Sequence, residues 1–130
     1  MKLANIKDIE KLPSVLDVEE LNKYLIELVE VLRSTNVGAE EGAEAINNLI
    51  SYQGYNLEGL SIESSRAILE WIKENYDENN KELIEWNSAN LANLTCIEAK
   101  EFIEKRIADT ESEHERKELL ETLEEIVIKT

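Results

Sequence analysis

Apolar residues recur at intervals of three and four along most of this chain, and this spacing constrains the fold more than any other feature. One stripe after Pro13 consists of Val18, Leu21, Leu25, Leu28, Val29 and Leu32. Such spacing places apolar side chains on one face of a helix, whereas a strand needs alternation at every second residue. One proline and four glycines in 130 residues leave few positions that interrupt a helix. The sequence therefore predicts an all-α protein.

Residues that cap helix N-termini indicate where the helices begin. Asp17, Thr95 and Thr110 are each followed three residues later by a glutamate, which is the spacing of a capping box. Ser61 precedes a further stretch with helical apolar spacing. These signals predict six helices, or seven if a short one forms at the N-terminus. We expect a single helical domain over residues 1–130, and a division into halves 1–56 and 57–130 is left open.

A weak internal repeat runs through the second half of the chain. Three isoleucines of one segment match three of another at an offset of 35 residues: Ile62, Ile68 and Ile72 against Ile97, Ile103 and Ile107. Successive helical hairpins would give this pattern, because each hairpin needs a neighbour to cover its apolar face. We expect antiparallel hairpins in either a HEAT-like stack or an orthogonal bundle.

The segment IEWNSANLANLTCIEAKEFIEKRIADTESEHERKELLETLEEI carries a resemblance to a known class. It has a helix that ends in an Asn-Leu step, a short turn, a helix with spaced apolar positions and an acidic linker into the next helix. This arrangement resembles a HEAT-type helical hairpin, and the likeness covers residues 62–128. Small acidic proteins of this style are similar to immunity proteins of bacterial polymorphic-toxin systems. The resemblance implies a non-catalytic inhibitor that binds a toxin.

Charge is the strongest compositional signal. Fourteen basic and 29 acidic residues give a net charge of −15 at pH 7. Residues 1–65 carry 12 acidic and 5 basic residues, and residues 66–130 carry 17 and 9, so the acidity is spread along the chain. Such a protein repels nucleic acid and anionic membranes and attracts basic proteins at long range. The alternative interpretation is that the acidity only keeps the protein soluble.

The remaining composition narrows the cellular setting. No apolar run approaches the roughly 18 residues of a membrane-spanning helix. The N-terminal sequence MKLANIKDIEK is too charged for the core of a signal peptide. A single cysteine excludes an internal disulfide framework. We expect a cytoplasmic protein.

The only histidine, His114, lies in an H-E-x-x-E pattern with Glu115 and Glu118. The buried side of its helix is predicted from four apolar residues: Leu119, Leu120, Leu123 and Val127. At about 100° per residue, His114, Glu118, Glu121 and Glu125 then lie on the opposite, solvent side. A fixed metal site needs three or four converging ligands, and one exposed helix face does not provide them. We therefore predict no metal site here, and an acidic face formed by these glutamates that binds a partner.

Cys96 is the other residue with reactive chemistry. It follows Thr95 at a predicted helix start, where a thiol pKa is lowered. However, it shares a helix face with Ala99 and Ile103, which points it into the core, where cysteine behaves as a small hydrophobe. No phosphate-binding loop or nucleophile motif is present in the sequence. We predict no catalytic residues, no cofactor and no enzymatic activity.

A few polar and aromatic residues leave two interpretations open. Asn87 and Asn90 lie on the apolar side of their helix, where they either form buried hydrogen bonds or line a ligand surface. Trp86, at the edge of that stripe, either packs in the core or anchors a partner. Tyr52 and Tyr55 in the sequence YQGYNLEG either recognise a partner or fill a gap between the two halves.

The leading prediction is a non-catalytic acidic module that binds a basic protein, in the form of an immunity-type inhibitor of a toxin or nuclease. Glu118, Glu121 and Glu125 would capture the partner electrostatically, and Trp86 or a loop tyrosine would anchor it. The main alternative is a generic helical adaptor or a homodimer whose acidity is incidental. A DNA-mimic inhibitor is a further possibility.

Overall fold

A computed structural model describes residues 2–53 and 59–129. Six α-helices account for most of these residues: α1 (Val18–Ser34), α2 (Ala39–Ile50), α3 (Ile62–Glu74), α4 (Lys81–Leu91), α5 (Ile97–Asp109) and α6 (Glu113–Glu125). Short 3-10 helices cover Ile6–Lys11 and Ser51–Gln53. Within the described ranges no strand forms. The predicted all-α class is confirmed, including the short additional helix at the N-terminus.

Two of the predicted helix starts are confirmed by cap hydrogen bonds. The Asp17 carboxylate accepts a hydrogen bond of 2.8 Å from the backbone N–H of Glu20 at the start of α1. The Ser61 hydroxyl accepts one of 3.0 Å from the N–H of Ser64 at the start of α3. Each side chain satisfies one of the N–H groups that a helix leaves unpaired at its first turn.

The predicted starts of α5 and α6 are wrong by one and two residues. Cys96 takes the N-cap position of α5, because the Thr95 hydroxyl is used elsewhere: it donates to the carbonyl oxygen of Leu60 at 2.9 Å and lies 2.9 Å from the Ser65 hydroxyl. Ser112 caps α6. The Thr110 hydroxyl instead accepts a 3.1 Å bond from the Ser112 N–H in the linker. Tertiary and linker contacts therefore determine where these two helices begin.

The helices contact one another in two rows. One row consists of α1, α3 and α5, in which α3 contacts both of the others, and the second consists of α2, α4 and α6, in which α4 contacts both of the others. The pairs α1/α2 and α5/α6 join the rows. The contacts of α1 with α3 and of α2 with α4 cross the predicted boundary between the two halves. A stack of HEAT type remains a prediction.

The internal repeat is visible in the helix boundaries. Helices α3 and α5 each have 13 residues, and their first residues, Ile62 and Ile97, are 35 positions apart. Ile68 and Ile103, at equivalent positions, are both 0% exposed. The first residues of the two helices are not equivalent in their burial: Ile97 is exposed, whereas Ile62 is partly buried.

The core lies between the two rows, and one close approach fixes α2 against α3. Gly42 on α2 faces the indole of Trp71 on α3, which is 4% exposed. A Cβ atom added at Gly42 would lie 2.6 Å from Cζ2 and 2.9 Å from Cη2 of that indole. A glycine is therefore required here by the packing of the tryptophan.

Candidate functional site

Helix α6, which carries the predicted binding residues, has a different side buried from the one expected. Glu115 is 0% exposed, and Leu119 and Thr122 are also buried. Leu120, predicted to be in the core, is 46% exposed. Val127, predicted to belong to the same stripe, lies beyond the end of α6 and is 73% exposed. The buried side is therefore rotated by about a quarter-turn from the prediction, at about 100° per residue.

The rotation is explained by a buried ion pair. Nε and Nη2 of Arg106 on α5 donate hydrogen bonds of 3.0 and 2.7 Å to the two carboxylate oxygens of Glu115. The hydroxyl of Tyr76 donates to the same carboxylate. Arg106 also donates to Glu78 at 2.8 Å, and its guanidinium lies 5.0 Å from the centroid of the Tyr76 ring. A bidentate guanidinium is the donor that best compensates a buried carboxylate for its lost hydration.

The second buried polar residue of α6 is also satisfied. The Thr122 hydroxyl can donate either to the carbonyl oxygen of Ser88 on α4, at 3.2 Å, or to that of Glu118 on its own helix, at 3.0 Å. Polarity alone would place Thr122 and Glu115 at the surface. Because both have partners, they displace leucine from the buried side and leave Leu120 exposed.

The protonation of Glu115 follows from the same contacts. Burial raises the pKa of its carboxyl, but hydrogen bonding with Arg106, Thr110 and Tyr76 more than offsets this, so the pKa lies below its ordinary value of 4.5. Burial and the neighbouring Glu115 raise the pKa of the Tyr76 phenol, and Glu115 raises that of Arg106. The pair is therefore charged at neutral pH and acts as a structural connection between α5 and α6.

The structure separates the four residues that were predicted to share one solvent face. Glu121 and Glu125 are exposed, as predicted. Glu118 is partly buried, and the His114 side chain is only 28% exposed. His114 does not point to solvent but towards α4, where its Nε2 lies 3.6 Å from Oε1 of Glu85. The predicted solvent position of His114 is wrong for the same quarter-turn reason.

The prediction that no metal ion binds at His114 depended on a solvent-facing position of this side chain. Glu85, His114 and Glu118 each offer a ligand atom, and these atoms lie within 4.8 Å of one another. The cluster is therefore not confined to one exposed helix face, as was predicted for His114, since α4 supplies the third residue. Glu85 was not among the predicted residues, because no local pattern connects it with an H-E-x-x-E segment 29 residues further along.

The asparagine prediction is supported by one of the two residues. Asn90 is 0% exposed, donates to the carbonyl oxygen of Ala43 at 2.9 Å and accepts from the Asn47 side chain at 3.2 Å. It therefore joins α2 to α4. Asn87 is 2% exposed, and its Oδ1 has no hydrogen-bond partner among the described residues.

The aromatic candidates lie in different settings. Trp86 is partly exposed and packs against the core from α4. The Tyr52 hydroxyl donates to the carbonyl oxygen of Ile9 at 3.3 Å, and the backbone N–H of Leu16 donates to the Tyr52 carbonyl at 2.9 Å. Tyr52 thus connects the end of α2 with the N-terminal segment. Tyr55 lies outside the described residues.

Cys96 has the surroundings of a structural residue. It is 1% exposed, and burial raises the pKa of its thiol above the ordinary value. A thiol in this state contains little thiolate, the nucleophilic form. The inward orientation predicted from the sequence is confirmed.

Charge is divided unequally between the two rows of helices. Helices α1, α3 and α5 carry eleven acidic and seven basic residues, whereas α2, α4 and α6 carry eleven acidic and three basic residues. Helix α2 has no basic residue. We call the α2/α4/α6 side the acidic row. Its excess of carboxylates gives this side of the molecule the stronger negative field.

The outer surface of α6 also has an apolar centre. A shallow hollow of about 440 Å³ surrounds Leu120. Its other lining residues are charged: Glu113, Arg116, Lys117, Glu121 and Glu124. Arg116 is paired with Glu113 at 3.1 Å. Leu120 is therefore a single exposed apolar residue surrounded by charged side chains.

Comparison with protein-family models, with curated proteins and with solved structures finds no match for this chain. In the parts of the chain that the structure describes, no helix combines the length and the apolar character needed to cross a membrane. The class of protein is thus defined by its own structure: an all-helical bundle with one strongly acidic row.

Proposed function

We propose that this chain is a non-catalytic module that binds a basic protein through its acidic row, in the form of an immunity-type inhibitor of a basic toxin or nuclease. The observation that supports the proposal most directly is the unequal division of charge in α2, α4 and α6, where three bases stand against eleven carboxylates, of which only Glu115 is buried and paired with Arg106. If acidity served only solubility, no side of the molecule would need such an excess.

Ion pairing strengthens this contrast. On the opposite row, bases are paired with acids across helices: Arg33 with Glu74 at 2.9 Å, and Arg66 with Glu98 at 2.5 Å. A groove of about 600 Å³ on that side has both signs of charge in its lining, with Lys73, Lys105 and Arg106 among the residues. A cationic partner is therefore attracted mainly to the acidic row, where few bases neutralise the carboxylates.

Helix α6 supplies the contact residues for the proposed complex. Glu121 and Glu125 are exposed on it, and Leu120 offers an apolar contact beside Glu121. Trp86 on α4 is partly exposed on the same row. Electrostatic capture followed by burial of one or two apolar anchors is a common sequence of events in such complexes.

The experiment begins with affinity capture from the native lysate at low ionic strength, elution with salt and identification of the bound protein. Association of the purified partner is then measured with the wild type and with Glu121→Lys/Glu125→Lys. The matched control is Glu30→Lys/Glu104→Lys, which changes the net charge equally on exposed positions of α1 and α5. We expect the α6 variant to lower the association rate by roughly tenfold or more at low salt, and the control to lower it much less. Equal effects of the two variants would refute the acidic row as the binding face.

A second candidate is self-association, and it is favoured by the apolar residues exposed near α5 and α6. Ile97 is 47% exposed, Leu120 46% and Val127 73%. A dimer interface that included any of them would remove apolar surface from water. Light scattering distinguishes the two candidates: a stable dimer that Leu120→Asp converts to a monomer, without capture of a basic protein, would support self-association.

A further inference from the structure

A cluster between the neighbouring helices α4 and α6 differs in its chemistry from the rest of the acidic row. Glu85 on α4 faces His114 and Glu118 on α6, and one ligand atom from each lies within 4.8 Å of the other two. His114 and Glu118 are four positions apart on one helix, so they are neighbours on the same side of α6. The cluster thus combines one imidazole and two carboxylates from two packed helices.

Two features of this cluster are unsatisfied in the protein alone. Nε2 of His114 has almost no contact with solvent, and no hydrogen-bond partner for it is found among the described residues. Its nearest carboxylate oxygen, on Glu85, is 3.6 Å away, beyond hydrogen-bonding distance. Moreover, two carboxylates are held close together, and no lysine or arginine in the described part of the chain forms an ion pair with either of them.

We propose that Glu85, His114 and Glu118 bind a divalent first-row transition-metal ion, with Zn²⁺ as the reference ion. Nε2 of His114 donates its lone pair, and one oxygen of each carboxylate completes a three-residue set that leaves a position for water. Two negative charges balance the charge of the ion. The Glu85 side chain is 58% exposed, so it is free to close the remaining distance.

The ligand set also indicates which ions are selected. An imidazole nitrogen favours Zn²⁺, Co²⁺, Ni²⁺ or Cu²⁺ over Mg²⁺ and Ca²⁺, which prefer oxygen ligands alone. Diffuse attraction of cations by the 29 acidic residues shows no such preference. An excess of Mg²⁺ therefore suppresses the diffuse component and leaves binding at the cluster. This proposal does not depend on the proposed function.

The test is a titration of the metal-stripped protein with Zn²⁺ in excess Mg²⁺, followed by calorimetry. Because His114 is the only histidine, its imidazole NMR signals report on this position alone. We expect one equivalent of Zn²⁺ to bind and to shift these signals. Substitution of a metal ligand is expected to weaken binding by at least about tenfold, the lower limit found for residues that only support the ligands. His114→Ala and Glu118→Gln are the two ligand variants.

The matched control is Glu121→Gln, which removes one negative charge from an exposed position on the same helix. It is expected to bind Zn²⁺ as tightly as the wild type. Circular dichroism of each variant checks that the helices are retained, and Glu85→Gln tests the cluster from α4 if a substitution in α6 unfolds the protein. Absence of stoichiometric binding would overturn the proposal. So would equal weakening by Glu118→Gln and Glu121→Gln, or binding that leaves the His114 signals unchanged.

Discussion

The buried Glu115 carboxylate provides a quantitative test of how α6 is held. Glu115→Ala removes two hydrogen bonds donated by Arg106 and one donated by Tyr76. Removal of one partner from a buried ion pair costs about 3–5 kcal/mol, because the other charge loses its compensation. Here Arg106 is 21% exposed and keeps its bond to Glu78, and both features reduce the cost. We expect the free energy of unfolding to fall by about 3 kcal/mol.

The measurement is equilibrium unfolding in urea, followed by the fluorescence of the two tryptophans. The matched control is Glu113→Ala, two residues away on the same helix. The Glu113 side chain is 92% exposed, and its pair with Arg116 lies at the surface, so its loss is expected to cost less than about 1 kcal/mol. A cost for Glu115→Ala as small as that of the control would refute the ion pair as the contact that orients α6.

The pH dependence has a definite sign. The folded-state pKa of Glu115 lies below the ordinary value of 4.5, so the carboxylate stabilises the folded protein above that pH. This contribution is lost as the pH falls from 4.5 through the folded-state pKa. The difference in unfolding free energy between the wild type and Glu115→Gln should therefore be constant near neutral pH and shrink in acid. A difference that grows as the pH falls would contradict the assignment.

Two further substitutions test the core. Gly42→Ala places a methyl group against the Trp71 indole and should lower the free energy of unfolding in urea by about 1–3 kcal/mol. Trp71→Phe removes the two contacted ring atoms. The double variant should therefore lose less stability than the sum of the two single variants. Asn90→Ala leaves the Ala43 carbonyl without its donor and should cost about 1–3 kcal/mol. Asn93→Ala should cost clearly less, because the Asn93 amide, in the turn after α4, bonds only to the nearby Ala89 carbonyl. Equal costs would contradict the predicted connection of α2 to α4.

The sequence was sufficient for the fold where local and tertiary preferences agree. The apolar stripe of α1 is strict, and Asp17 caps it as its spacing predicts. At the start of α5 the two conflict: Thr95 has the spacing of a capping box, but its hydroxyl bonds to Leu60 and lies beside Ser65 on α3, so the cap falls to Cys96. Such a contact depends on which helices become neighbours, which the capping pattern does not encode.

The candidate site was harder to predict, because the orientation of α6 depends on buried polar groups. The pattern of polar and apolar residues along α6 assigns Glu115 to solvent and Leu120 to the core. The structure reverses both, since Arg106 and Tyr76 compensate the carboxylate. No sequence pattern indicates which glutamate of a helix with six glutamates will find an arginine on the preceding helix.

The Arg106–Glu115 pair connects stability with both proposals. If Leu120 were buried, as the apolar pattern of the sequence predicts, His114 and Glu118 would face solvent, and Glu85 would lie on another surface. With Glu115 buried instead, His114 and Glu118 face α4, and the leucine becomes available to a partner. One buried charge pair thus exposes an apolar residue beside Glu121 and also brings together the three side chains of the proposed metal site between α4 and α6. An α6 helix held by leucines alone would have provided neither feature.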